Sequence, residues 1–252
     1  NKFNESIYSS NKGKNFSSIY KKNYMERVNK IYFPKVEFLK KVLKKEIKIL
    51  DFGCGAGHFV KSCEKLGIKA IGIDPNQDLI DKGNKYLKKN IIKKLNFNES
   101  VDEITFTSAD VISLIFVLEH LEDPNKIFRA FNKSNAKYIY ISVPLFSFSV
   151  FIENIFQKIY PRQLGGPHTN LYSKDSLEFI AKKYKLEIIG EWWFGTDFSD
   201  LYRNLLLSSN YKTSFYKDKF DNLFLKQINS FQNVLDKSKL SSEVHLVLKK
   251  KG

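Results

Sequence analysis

The chain has 252 residues, 42% of them apolar and 27% charged, enough to build a globular core and too much for a disordered, collagen-like or disulfide-scaffold protein. A formal charge of +15 would suit a phosphate-binding surface, yet only four of the 42 basic residues are arginines and they are scattered (Arg27, Arg129, Arg162, Arg203), which points to lysine-rich composition rather than a nucleic-acid face. Cys54 and Cys63 match no zinc or redox spacing and suit a reducing, cytoplasmic compartment.

Residues 1–34 are polar, punctuated by aromatics without a clean period, and read as an N-terminal arm or lid. From Lys35 to Lys45, Val36, Leu39, Val42 and Leu43 recur at helical spacing. Short apolar runs then alternate with helical stretches. The strands are predicted at Ile47–Phe52, Ala70–Asp74, Val111–Val117, Tyr138–Val143, Leu186–Trp192 and Val244–Leu248. Helices are predicted at Phe59–Leu66, Asn76–Lys89, Pro124–Asn132 and Lys174–Tyr184, with Asp123 and Ser173 as caps. This alternation implies an α/β fold, a mostly parallel sheet covered on both faces. Residues 35–252 therefore read as one domain with two insertions, 145–167 and 195–240, suited to acceptor binding or subunit contacts such as a homodimer. The longest uncharged run, Tyr138 to Ile152, is too short for a transmembrane helix, and the opening residues lead to no expectation of a secretory signal.

The densest chemical signal is Leu50-Asp51-Phe52-Gly53-Cys54-Gly55-Ala56-Gly57-His58-Phe59, an apolar strand running through a glycine-rich turn into a helix. Glycines let a ligand approach the backbone, and amides at the helix start favour a polar group. The spacing is not that of dinucleotide folds, because His58 stands where the last glycine would fall. A second strand closes on Ile71-Gly72-Ile73-Asp74-Pro75, and a carboxylate at a strand tip can accept both hydroxyls of a ribose.

These two motifs, in this order, resemble the class I S-adenosylmethionine-dependent methyltransferases. The passage Asp110-Val111-Ile112 through Val117-Leu118-Glu119-His120-Leu121-Glu122-Asp123-Pro124 is similar to that of small-molecule members, and His168-Thr169-Asn170-Leu171-Tyr172-Ser173 resembles a later segment of quinone and sugar methyltransferases. The resemblance implies a doubly wound seven-stranded sheet, mostly parallel with a reversed last strand, and S-adenosylmethionine as cofactor. It implies that Asp51, Gly53, Cys54, Gly55 and Gly57 face the methionine end. Asp74 and Pro75 would face the ribose, and Ser100 and Val101 the adenine, with Ile115 and Phe116 lining the site. Ser100 departs from the pattern, since an Asp often stands there.

An alcohol acceptor keeps its proton near neutral pH, so methylation at oxygen gains from a general base. His168, in a Gly-Gly-Pro-His loop, and His120, after the fourth strand, are the candidates. No residue spacing marks a metal site, and none is expected. Nucleic acid is not expected as the acceptor, because no Asn/Asp-Pro-Pro-aromatic motif follows the fourth strand. The reading is transfer to a small polar acceptor, a sugar or nucleotide-sugar hydroxyl, with Thr196, Asp197, Asp200 and Tyr202 available to bind hydroxyls. A lipid- or quinone-like acceptor is the rival, suggested by the apolar stretch from Leu145; a non-catalytic cofactor-binding partner protein is the other.

Overall fold

The structure is a computed structural model that describes residues 23–156, 163–165, 168–207 and 215–251. Its centre is a seven-stranded sheet: β1 (Lys48–Phe52), β2 (Lys69–Asp74), β3 (Ile92–Lys94), β4 (Val111–Ile115), β5 (Tyr138–Pro144), β6 (Leu186–Phe194) and β7 (Glu243–Lys250), in the order β3-β2-β1-β4-β5-β7-β6. The pairs among β1 to β5 are parallel, and β7 runs antiparallel to both β5 and β6. This is the expected architecture with its reversed last strand.

The inner strands read as continuous apolar runs because both faces are covered. Along β1, Ile49 packs with Val111, Tyr140 and Val247 under one helical layer, whereas Leu50 packs with Ile112, Ile139 and Leu246 under the other. The first layer is α2 (Phe33–Leu43) and α3 (His58–Lys65), which bury Val36, Leu39, Phe59 and Cys63. On the opposite face lie α5 (Phe97–Phe106), α6 (Asn125–Lys133) and α8 (Lys174–Lys183), contributing Ile104, Ile127, Phe128, Phe131 and Leu177. Ser173 caps α8 as predicted, in a reciprocal pair with Ser176.

The structure adds what the periodicity missed. Strand β3 is three residues long, and α5 begins on an Asn96–Glu99 capping box. The fourth strand stops at Ile115, two residues earlier than predicted, because Phe116 takes φ +56°. The described part of the expected arm is not loose: α1 (Tyr24–Arg27), a π turn (Val28–Tyr32) and α2 follow one another, and Tyr24 and Val28 are buried. Residues 1–22 lie outside the described residues.

The insertions supply α7 (Phe148–Ile155), α9 (Asp197–Leu207) and α10 (Lys217–Lys237). Helix α4 (Gln77–Leu87) completes the β2–β3 connection. The strand order reverses between β1 and β4, so the crevice beyond their carboxyl ends is where an open α/β sheet offers a ligand site. No helix among the described residues is long and apolar enough to cross a membrane.

Candidate active site

The turn after β1 is built to leave backbone bare. Gly55 takes φ +54°, and a Cβ there would meet nothing nearer than Leu79 Cδ1 at 3.9 Å, so the space above it is open. Gly53 is tight instead, with Val117 Cγ2 2.7 Å from where its Cβ would be. The Gly53 and Cys54 amides donate to the Ile73 carbonyl, which fixes the turn against β2. Tyr24 covers it from outside: its hydroxyl donates to the Ala56 carbonyl at 3.1 Å, and its ring stacks on His58 and Tyr86. Burial lowers the His58 pKa to about 3, so this imidazole is neutral and structural.

Two carboxylates converge here. Asp74 Oδ2 accepts from the Gly55 amide and Oδ1 from the Asn76 amide, both at 2.8 Å. Pro75 lies between Asp74 and Asn76, the residue that caps α4. Asp51 is buried, accepts the Ser113 hydroxyl at 2.7 Å, and has its pKa raised to about 7, chiefly by desolvation. Burial pushes the Cys54 thiol well above its ordinary range, leaving it a turn filler rather than a nucleophile.

Ser100 and Val101, expected near the adenine, both lie inside α5, where Ser100 is buried and its amide donates to the Asn96 carbonyl. The chain beside Asp74 is the end of β3, where Lys94 is Asp74's register partner and the Leu95 amide donates to the Asp74 carbonyl. Leu95, Asn96 and Phe97 therefore stand beside the tip of β2, just before Ser100 and Val101 in the chain. Ile115 and Phe116 do close β4, at the crevice.

Across the crevice, a 3-10 turn at Leu118–His120 meets the segment containing His168. The Glu119 carbonyl accepts from the Thr169 amide at 2.7 Å and the Asn170 amide at 3.1 Å, and Asn170 Nδ2 donates to the Leu121 carbonyl at 2.6 Å. These bonds bring residues 48 positions apart together: the His120 and His168 ring centres are 4.9 Å apart, and His120 Nε2 lies 3.8 Å from Glu119 Oε1. Glu119 is 1% exposed, and its Oε2 has no hydrogen-bond partner. Its pKa rises to about 8 through desolvation. One ligand atom from each of Glu119, His120 and His168 falls within 4.8 Å of the others, a convergence that no residue spacing in the sequence marks.

The match to known proteins decides the family. A family model for a methyltransferase domain matches residues 24–191, two thirds of the chain. The chain belongs to that family. Its cofactor is S-adenosylmethionine, and the open face of Gly55 beside the buried Asp74 carboxylate fits that molecule. Among curated relatives, the methyltransferase is 33% identical over 98 residues to an uncharacterized methyltransferase of Schizosaccharomyces pombe, covering 34% of this chain and 35% of that one. It is 28% identical over 86 residues to the ubiquinone biosynthesis O-methyltransferase of Coxiella burnetii, covering 32% and 36%. The chain thus spans about a third of the length of the curated relatives it matches. Among solved structures, the magnesium protoporphyrin IX methyltransferase of Synechocystis PCC 6803 with bound SAH superposes with a TM-score of 0.62 at 9% identity, covering 99% of each chain.

Three features of the methyltransferase escaped sequence reading. Nothing in the sequence marks Glu119 as more than part of its motif, and only the fold reveals its orphaned oxygen. Glu153 accepts the amides of Gln163 and Leu164 at 2.7 and 2.9 Å and so holds the stretch before His168. The residues expected to bind sugar hydroxyls are already engaged: Asp197 accepts from Ser147, Ser149, Gln232 and Ser242, and Asp200 from Thr196. A buried, saturated carboxylate is a brace for the fold, not a sugar-binding group.

Proposed function

We propose that this methyltransferase alkylates a hydroxyl oxygen of a small acceptor that carries an apolar ring. The observation that carries this reading is the Glu119–His120–His168 cluster at the tips of β4 and β5, on the same side of the sheet as the glycine turn. S-adenosylmethionine, when bound, supplies an activated methyl group. The chain's own part is to align the acceptor oxygen in line with that methyl and to ease loss of its proton. His168 Nδ1 lies 3.0 Å from the Gln163 carbonyl oxygen, an acceptor only, so Nδ1 carries the hydrogen of this contact and Nε2 is the nitrogen left for the cluster.

The rim favours rings over bare sugars. Phe146 and Phe151 stand half-exposed in an edge-to-face pair 5.6 Å apart, on the segment that leaves β5. The Phe146 amide donates to the Tyr172 carbonyl, and the Tyr172 hydroxyl donates to the Leu118 carbonyl, which ties this rim to the Glu119 turn. The name of the Coxiella relative agrees with an oxygen acceptor on a quinone-type molecule. The test is to incubate the protein with S-adenosylmethionine and either hydroxylated aromatic acceptors or nucleotide-sugars, following S-adenosylhomocysteine and locating the new methyl by NMR. Turnover on the ring hydroxyl supports the proposal; turnover on the nucleotide-sugar alone, or a methyl found on nitrogen or carbon, refutes it.

A further inference from the structure

We infer that Glu119, His120 and His168 form a binding site for one divalent first-row transition-metal ion, which holds the acceptor hydroxyl during transfer. The inference rests on the oxygen-acceptor reading above and supplies its chemistry. Two imidazoles and one carboxylate are a donor set that suits Zn²⁺, Fe²⁺ or Mn²⁺, and three protein ligands leave coordination positions open for a substrate oxygen.

Three observations point to an ion rather than a chance meeting of side chains. The ligand atoms already converge to within 4.8 Å. Metal bonds of about 2.0–2.2 Å would bring them to roughly 3.3 Å apart in a tetrahedron, a small inward movement of the His168 ring. Glu119 Oε2 is buried with no hydrogen-bond partner, a costly arrangement that a cation at this position would relieve. His168 Nδ1 faces the Gln163 carbonyl, the outer contact that orients a ligating imidazole and leaves its Nε2 to the metal.

The backbone around the site is fixed as a ligand frame requires. Thr169 Oγ1 lies 3.1 and 3.0 Å from the carbonyl oxygens of Glu119 and Leu121, and Glu153 holds the far end of the same loop. With the acceptor hydroxyl bound to the metal, its proton passes to water. An oxygen lone pair then forms the bond to the methyl carbon, and the pair of the breaking carbon–sulfur bond returns to sulfur, leaving S-adenosylhomocysteine.

The experiment uses the full chain, freed of any histidine tag and stripped with a chelator, titrated with Co²⁺. The expected result is uptake of a single ion with a visible d–d band, lost in the His120→Ala/His168→Ala pair. Glu119→Gln should weaken uptake about tenfold or more. Retained S-adenosylhomocysteine binding in each variant shows that it is folded. Absence of stoichiometric Co²⁺ uptake, or uptake unchanged in the double variant, overturns the site. Full turnover on a ring hydroxyl by the stripped protein also overturns the metal's role while leaving the oxygen-acceptor reading intact. Co²⁺ uptake together with methylation only at nitrogen or carbon does the reverse, supporting the metal site and ending the oxygen reading.

Discussion

The Gly55 amide donates to Oδ2 of Asp74 at 2.8 Å, joining the turn after β1 to the tip of β2 through a single carboxylate. The residue that exposes bare backbone is thus positioned by the residue expected to hold the ribose. Gly55→Val puts a branched side chain into the open space and forces it to φ +54°, at a cost of about 1–2 kcal/mol. Asp74→Ala removes the acceptor of two amides and, with it, the expected ribose contact. Both variants are expected to fold, by circular dichroism, yet to lose S-adenosylmethionine binding in calorimetry. Near-normal affinity in either would remove the turn from the cofactor site.

Asp51 gives a pH dependence of defined sign. Its folded pKa, about 7, lies above the ordinary carboxylate value of 3.8. Below about pH 4 the group is protonated in both states. As pH rises toward 7 the unfolded chain ionises while the folded chain resists, so cofactor-free stability falls across this window and levels off above it. Asp51→Asn keeps an oxygen for the Ser113 hydroxyl and escapes the penalty, so at pH 8 it should be the more stable of the two by a few kcal/mol, on the order of the shift. With the cationic cofactor the ranking reverses. Wild-type affinity for S-adenosylmethionine should rise from pH 6 to pH 8, while the Asn variant stays weak and flat. Calorimetric titrations at the two pH values check both halves.

These carboxylates were legible in the sequence because Asp74 closes an apolar strand and Asp51 stands in one just before the glycine turn, where burial needs a reason. Strand β3 was not legible: Ile92 is its whole apolar content, and a three-residue edge strand has no period to detect. Missing it also hid the setting of Ser100 and Val101, which lie inside α5 behind the Leu95–Phe97 segment, with Ser100 buried. The pairing of Glu119 with His168 was equally hidden, since it depends on backbone bonds between a turn and a loop 49 residues apart. The saturation of Asp197 is likewise a property of the fold, because its donors come from α7, α10 and the entry to β7.

Asp197 is fully buried and accepts from Ser147 Oγ, the Ser149 amide and hydroxyl, Gln232 Nε2 and the Ser242 amide, at 2.9 to 3.1 Å. It therefore fastens both insertions to the sheet. Asp197→Ala orphans several buried donors at once, and a loss of about 3 kcal/mol or more is expected from thermal or urea unfolding. Cofactor affinity at a temperature where the variant is folded should stay close to wild type, because none of these groups contacts the glycine turn. A large drop in affinity would mean that the insertions help build the cofactor site.

The acceptor rim makes the sharpest separation between binding and chemistry. Phe146 and Phe151 are each 55% exposed, so replacing either by alanine leaves the core intact and should change stability by less than about 1 kcal/mol. If their paired rings hold an apolar acceptor, Phe151→Ala should raise the acceptor KM about tenfold while kcat and S-adenosylmethionine affinity hold, the signature of lost uniform binding. His168→Gln should do the opposite. Glutamine keeps a polar group in the loop but neither accepts a proton at useful pH nor replaces an imidazole ligand, so kcat should fall about 10²–10⁴-fold with KM little changed. Steady-state kinetics on one ring-hydroxyl acceptor measures both variants side by side. A Phe151→Ala enzyme with unaltered KM would place the acceptor away from this rim, and a His168→Gln enzyme with normal kcat would leave the imidazole only a structural part.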